Sequence, residues 1–467
     1  MSSDPDPTIA DLVIRGGTVV NADGRRDADL VIDGERVREL IPRHAAYPAR
    51  RELDATGCLV LPGAVDAHVH LDGPATREVP GFVDDFLTGT RAAVHGGVTT
   101  VGQMSFSDGP TLSEAYERDR ERAAAQAIVD YVLHPGIYHL NSQAVAEIPG
   151  LAARGAGTLK LVSLALDDGS APQFGDALAT AAQTGLLPMV HCEDGAIIEH
   201  ATHVLERDGR TGLEHYPDSR PVLSESAAVE RTIALAEAAG APVYVVHLSS
   251  ARALEAVQTA RARGLDVMAE TRPMYLALTR RRHDEPGGAR FIGMPPLREP
   301  ADVDALWAGL ADGSIDTVAT DHAPWMLDDK VTPELTVESS RKGVAELDTF
   351  LPLLYDLGVR AGRISLERLV AVTAANPARL LGLHPRKGHL APGADADVVV
   401  LDPSMTRTVR ATDLESASDY SIYEGWSFTG WPRFVLSRGE ALLEHRRISA
   451  QPGRGRYLPA AARTPVM

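Results

Sequence analysis

The sequence predicts an α/β fold: a (β/α)8 TIM barrel carrying a small β-sandwich domain formed by the N- and C-terminal segments. Three observations predict it. Between about residues 60 and 385, short apolar runs alternate with Ala-, Glu- and Arg-rich stretches such as SEAYERDRERAAAQA (113–127). That alternation is the texture of parallel strands joined by helical crossovers. Both ends read differently, as short Leu/Val/Ile alternations broken by Gly and Asp. Finally, 467 residues suffice for a large barrel plus an accessory domain.

Taken in order, DLVIRGGTVV (11–20), DLVIDGERV (29–37) and GCLVLPG (57–63) supply small strands for the N-terminal part of the sandwich, residues 1–60. The barrel follows over 61–385. Its eight expected strands are CLVLPGAVD (58–66), VTTVGQM (98–104), AIVDYVLH (127–134), TLKLVS (158–163), LLPMVH (186–191), PVYVVH (242–247), LDVMAE (265–270) and DTVATD (316–321). The sandwich resumes over 386–447 with DADVVVLDP (395–403) and PRFVLSRGEALL (432–443). A tail, 448–467, has turn and extended character suited to a subunit interface.

Composition excludes several functions. A net charge of −18, from 46 basic against 64 acidic residues, opposes binding to a phosphate backbone, and 5% aromatics offer few stacking platforms. No nucleic-acid partner is expected. No apolar run approaches the roughly 18 residues that span a bilayer, and the acidic N-terminus lacks a basic-then-apolar leader pattern. Two cysteines, Cys58 and Cys192, cannot make a disulfide framework and fit a reducing compartment. The expected location is cytoplasmic.

Polar residues gather at the ends of the expected strands. Strand one leads to His68 and His70, strand four contains Lys160, strand five ends in His191, strand six in His247 and strand eight in Asp321. Barrel sites are assembled at the C-terminal face from several strands, so these six can converge. Two-residue periodicity turns His68 and His70 to one side of the chain. Four imidazoles and a carboxylate suit divalent metals, and a buried neutral lysine can add carbon dioxide to become an anionic carbamate ligand. A single strand-end histidine is ordinarily a packed or surface residue, and HxH alone is weak. The signal is the combination from five strands.

These motifs resemble the amidohydrolase superfamily, specifically cyclic amidohydrolases of the dihydropyrimidinase and hydantoinase type. PGAVDAHVHL, DDFLTGTRAAVHGGVTTV, VHCED, VHLSS, ETRPMYLAL, MPPLRE, DGSIDTVATDHAPW, ANPARLLGLHPRKGHLAPGADADVVVLDP and GWPRFVLSRGE follow in family order over nearly the whole chain. The resemblance implies two divalent metal ions, zinc as first choice. His68, His70 and Asp321 would hold one, His191 and His247 the other, and carboxylated Lys160 would bridge them. It also implies a homo-oligomer, a tetramer, acting on a small cyclic amide. Water held between two cations has its pKa lowered toward neutrality, giving a hydroxide that attacks the ring carbonyl. Asp321 would move the proton to the leaving nitrogen, with His322 supporting it from behind.

The residues implied to surround the substrate are Asp72, Ala165, Arg272, Met294 and Gly343. Ala165 stands where the pattern places an oxyanion-stabilising tyrosine, five residues after the lysine. Met294 precedes PPLR where serine is usual, and Lys342-Gly343 replaces Asn-Gly. Asp72 occupies the place of the arginine by which dihydroorotases bind a carboxylate, so it opposes such a substrate or else turns outward to cap a loop. Arg272 either binds an anionic substrate group or pairs with a nearby carboxylate. Cys192 is read as packing. Two alternatives stay open: an allantoinase-like ureide hydrolase, since that group also lacks the tyrosine, and a non-catalytic scaffold like the relatives that have lost ligands.

Overall fold

In the computed structural model, which describes residues 9–73, 81–107, 111–138, 140–165, 171–461, 463 and 466, eight parallel strands follow one another around a common axis. They are Ala64–Val69, Val98–Phe106, Asp130–Ile137, Thr158–Val162, Leu187–His191, Val243–Val245, Val267–Thr271 and Thr317–Val318. The ring is completed by a parallel bridge between Val69 and His322, where the His70 N–H donates to the His322 carbonyl at 2.8 Å. Every residue of these strands is buried. Helices cover the outer face, which is why their sequences are continuous apolar runs and not strict alternations.

The helices are delimited by local chemistry. Asp85 and Thr88 form a reciprocal capping box at the start of Phe86–His95, while Thr111, Asp194 and Ser250 cap the helices that follow them. Gly240, at φ 62°, ends Val222–Ala239 in the left-handed conformation that glycine adopts without strain.

The segment 58–66, expected as one strand, is divided between two sheets. Leu59–Pro62 pairs antiparallel with Val398–Leu401 in the terminal sheet, and only Ala64–Val69 enters the barrel. Gly63 makes the passage possible: a Cβ there would lie 2.1 Å from Thr99 Oγ1. The chain's two ends share a ten-stranded mixed sheet. Its N- and C-terminal strands bury a common apolar core that includes Leu12, Ile14, Leu30, Val60, Val398 and Phe434.

At the N-terminal end of the barrel, the ammonium of buried Lys387 meets Asp397 at 2.6 Å, Asp130 at 2.7 Å and Asp395 at 2.9 Å. The cluster ties the start of the third barrel strand to the terminal sheet. The described part of the tail lies against its own barrel. Tyr131 exchanges backbone hydrogen bonds with Arg456 and Leu458, and Tyr457 Oη lies 2.7 Å from Tyr116 Oη.

Candidate metal centre and active site

At the opposite, C-terminal end of the barrel, the six strand-end residues line the floor of one cavity of about 250 Å³. His68, Lys160, His191, His247 and Asp321 are buried, and His70 is partly open to the cavity. His247 and Asp321 have φ of 41° and 47°, a left-handed backbone that side chains of this kind adopt at a cost. Strain of order 1–3 kcal/mol at each persists only where surrounding structure imposes it, as at functional sites.

The hydrogen bonds assign the ring nitrogens. His68 Nδ1 lies 2.9 Å from Glu270 Oε1; the Glu270 carboxylate also takes the His247 N–H at 3.1 Å and the Tyr244 hydroxyl at 2.6 Å. With the Nδ1 proton given to Glu270, His68 Nε2 presents a lone pair. That lone pair faces Asp321 Oδ1 at 3.1 Å, and His70 Nε2 lies 2.9 Å from the same oxygen. One ligand atom from each of the three residues falls within 4.8 Å of the others. Where the His68 lone pair faces Asp321 Oδ1, two acceptors repel, and a cation between them would convert that repulsion into coordination. Burial, reinforced by Lys160, keeps His68 well below its ordinary pKa and therefore neutral, as a metal-binding imidazole must be.

A second group repeats this logic. His191 Nε2 lies 2.9 Å from Glu193 Oε2, and the same oxygen takes an N–H of Arg220 at 2.5 Å. Burial would raise Glu193, but Arg220 and His191 bring it down to about 2, so it is an anion. His191 Nδ1 is thereby left with its lone pair toward His247 Nε2, 2.9 Å away. Among the described residues, His247 Nδ1 is buried without a hydrogen-bond partner. Lys160 sits between the two groups, its Nζ 3.4 Å from His68 Nε2. Burial pulls it down to about 8, partly offset by Asp321 and Glu270. The donor set of His68, His70 and Asp321 fits a divalent cation.

Asp321 is held from behind. Arg272 donates to its Oδ2 at 2.8 Å and to Glu346 Oε2 at 3.0 Å, and Tyr423 Oη donates to Glu346 Oε1 at 2.7 Å. Burial alone would raise the Asp321 carboxyl; Arg272, His68 and His70 hold it well below the carboxylate range. His322 does not reach the cavity. Its Nδ1 accepts the N–H groups of Glu346 and Leu347 at 3.1 and 3.3 Å, so its Nε2–H donates to Asp84 at 2.8 Å. It fastens the segment that carries Glu346 behind Asp321.

Of the residues expected around the substrate, Met294 and Gly343 line the cavity. Ala165 ends the short turn Ser163–Ala165 after the fourth strand; its side chain lies outside the described residues. Two open alternatives are narrowed. Arg272 is wholly buried and engaged with Asp321 and Glu346, so it pairs with carboxylates instead of meeting substrate. Asp72 turns to Arg122 at 2.7 Å and lines an adjoining chamber of about 210 Å³.

Sequence reading missed Glu270, although it ends an expected strand as His191, His247 and Asp321 do. It also missed Glu193, two residues after His191, and an aromatic wall of Phe82, Phe106, Tyr138 and Trp325. Phe106 stacks between Tyr138, at 4.0 Å, and His70, at 6.0 Å between ring centres. These aromatics come from separate parts of the chain and carry no common spacing.

Known proteins place the chain. A family model described as the amidohydrolase family matches residues 59–442. The chain is 39% identical over 456 residues to a D-phenylhydantoinase of Escherichia coli O9:H4 (strain HS), covering 96% of this chain and 97% of that protein. The solved structure of dihydropyrimidinase from Brevibacillus agri NCHU1002 superposes with a TM-score of 0.92 at 33% identity, over 97% of this chain and 99% of that one. The L-hydantoinase (dihydropyrimidinase) from Arthrobacter aurescens does so with a TM-score of 0.89 at 29% identity, over 96% and 99%. Matched along almost its full length in sequence and in fold, the chain belongs to the amidohydrolase family.

Proposed function

We propose that this protein is a metal-dependent hydrolase that opens a cyclic amide: a hydantoin, a dihydropyrimidine or a related cyclic imide or ureide. The observation that carries the reading is the convergence of four histidines, Lys160 and Asp321 on one cavity floor, with imidazole and carboxylate acceptors facing one another. His68, His70 and Asp321 would hold one divalent ion, His191 and His247 the second, and a carbamate on Lys160 would join them. Zinc suits imidazole and carboxylate donors together. When bound, such ions lower the pKa of water toward neutrality and polarise a carbonyl oxygen.

The chain's own residues do the rest. The aromatic wall offers flat faces to a planar ring, and Met294 and Gly343 bound the cavity on another side. Water adds its oxygen to the ring carbonyl carbon and the C–N bond breaks. Asp321 takes the proton that water gives up and returns it to the leaving nitrogen, so ring amide and water become a carboxylic acid and an N–H. Glu270 and Glu193 fix the tautomers of His68 and His191, and Arg272 fixes the Asp321 carboxylate.

The long-range match to dihydropyrimidinases and hydantoinases supports the substrate class. We include in the proposal a homotetramer and a cytoplasmic location; no helix among the described residues is long and apolar enough to cross a membrane. The test is a panel of hydantoins, dihydrouracil, allantoin and cyclic imides, run beside metal analysis and native mass spectrometry. Opening of at least one ring, with bound metal and one added carbon dioxide on Lys160, is expected. Metal-loaded protein that opens none of them refutes the substrate class.

A further inference from the structure

Most cations around the cavity are neutralised. Arg272 serves Asp321 and Glu346, Arg220 serves Glu193, and Arg122 serves Asp72. Lys342, next to Arg341 on the cavity wall, has no such carboxylate among the described residues. It lines the cavity, yet its Nζ donates to a backbone carbonyl, that of Glu338 at 3.0 Å, and no carboxylate among the described residues stands within ion-pair distance of it. An ammonium has three donors, so two are left. Burial and the neighbouring Arg220 pull Lys342 down to about 8, as befits a cation short of a counter-ion.

The loop that presents Lys342 is clamped on both sides. Trp325 Nε1 donates to the Lys342 carbonyl at 3.0 Å, and the Gly343 N–H donates to the Ile292 carbonyl at 3.1 Å. Buried Lys330 binds the carbonyls of Gly343 and Ile292 at 2.5 and 2.7 Å. Gly343 has φ 122°, and a Cβ there would lie 2.5 Å from the Ala323 carbonyl oxygen, so only glycine fits this turn of the loop. Lys342 therefore lines the cavity from a clamped loop, near Arg220 and Glu193.

From this cavity-lining lysine, held on a clamped loop without a carboxylate partner among the described residues, we propose that Lys342 is a specificity-determining residue that selects cyclic amides bearing an anionic exocyclic arm, a carboxylate above all. Asp321, the one acid among the described residues that line the same cavity, is engaged by Arg272, so the arm of the substrate is what completes the pair. The inference rests on the cyclic-amide reading above and narrows it.

The test compares two rings of matched shape, 5-(2-carboxyethyl)hydantoin and its neutral amide, 5-(2-carbamoylethyl)hydantoin. Affinities are titrated by calorimetry on the Asp321→Asn protein, in which turnover is blocked, and kcat/KM is measured for both rings on the unaltered enzyme. An affinity preference for the acid of about tenfold is expected, the size of one charge-assisted contact. Adding Lys342→Met should bring the ratio close to one, and Lys342→Arg should keep it. Simple loss of structure would weaken both rings alike and leave the ratio in place. Equal affinity for the two rings, affinity for neither, or a preference that survives Lys342→Met overturns the proposal. If the acid preference stands while the unaltered enzyme opens no ring, the role of Lys342 survives and the reaction assignment falls.

Discussion

Two clusters of buried charged and polar groups sit at opposite ends of the same barrel, and they are built on opposite principles. At the N-terminal end Lys387 is surrounded by Asp130, Asp395 and Asp397, and Arg438 Nε stands 3.2 Å from Asp130. Donors there meet acceptors. At the C-terminal end, His68 Nε2 and His70 Nε2 turn toward Asp321 Oδ1, and His191 Nδ1 turns toward His247 Nε2. There the His68 lone pair meets a carboxylate oxygen and His247 Nδ1 has no hydrogen-bond partner among the described residues, on a backbone strained at His247 and Asp321. The first cluster completes itself and holds two sheets together. The second is completed by something brought in, and that incompleteness is what makes it a site.

This contrast can be broken from either end. The largest effect is expected at the open cluster: Asp321→Asn should lower kcat by about 10³-fold, the scale of a lost positioned acid–base group, with near-normal turnover refuting the proton role. At the closed cluster, Lys387→Met leaves three carboxylates buried without their cation. It should cost about 3–5 kcal/mol of stability, read by denaturant unfolding, because breaking a buried pair strands the remaining charge. A loss under 1 kcal/mol would show that water reaches the cluster.

Chelation is the next test. It should abolish activity and lower the thermal midpoint, and added zinc should restore both, since an ion that binds only the folded state stabilises it by mass action. The Lys387→Met protein should respond to zinc in the same direction. Glu270→Gln should weaken metal binding by about 10–100-fold, the usual consequence of losing the carboxylate behind a ligating imidazole. Unchanged metal affinity would mean that Glu270 only packs.

The smallest effect concerns pH and lies near neither cluster. Burial, then Lys330 and Arg280, lowers His283 to about 3, from an ordinary value of 6.5. The unfolded chain therefore binds this proton more readily than the folded one. Stability is undiminished above about pH 6.5, falls as pH drops below it, and stops falling near pH 3. In His283→Phe the decline of the thermal midpoint between those limits should be shallower. An unchanged slope would assign the acid sensitivity to other groups.

The barrel and the residues gathered at its C-terminal face were legible because both are written locally. Apolar runs mark the strands, and a His, Lys or Asp closes several of them. What stayed hidden depends on contacts between distant parts of the chain. Lys387 and Asp130 are 257 residues apart, and nothing in either segment names the other. Arg272 could be read as a substrate anchor or as a pairing partner until its distances to Asp321 and Glu346 were known. The division of 58–66 between two sheets turns on the room that Gly63 leaves for Thr99, which apolar patterning does not encode. Asp72 looked outward or inward with equal ease; its pairing with Arg122 decides it.

The central claim is that the acceptors at the C-terminal face are the two halves of a dinuclear site. Counting metal per chain by inductively coupled plasma mass spectrometry tests it most directly, on the purified protein and on His70→Ala and His247→Ala. Two equivalents in the unaltered chain, with each variant losing about one, is the predicted result. A chain that opens cyclic amides at full rate with no bound metal, or variants that keep the full complement, would contradict it.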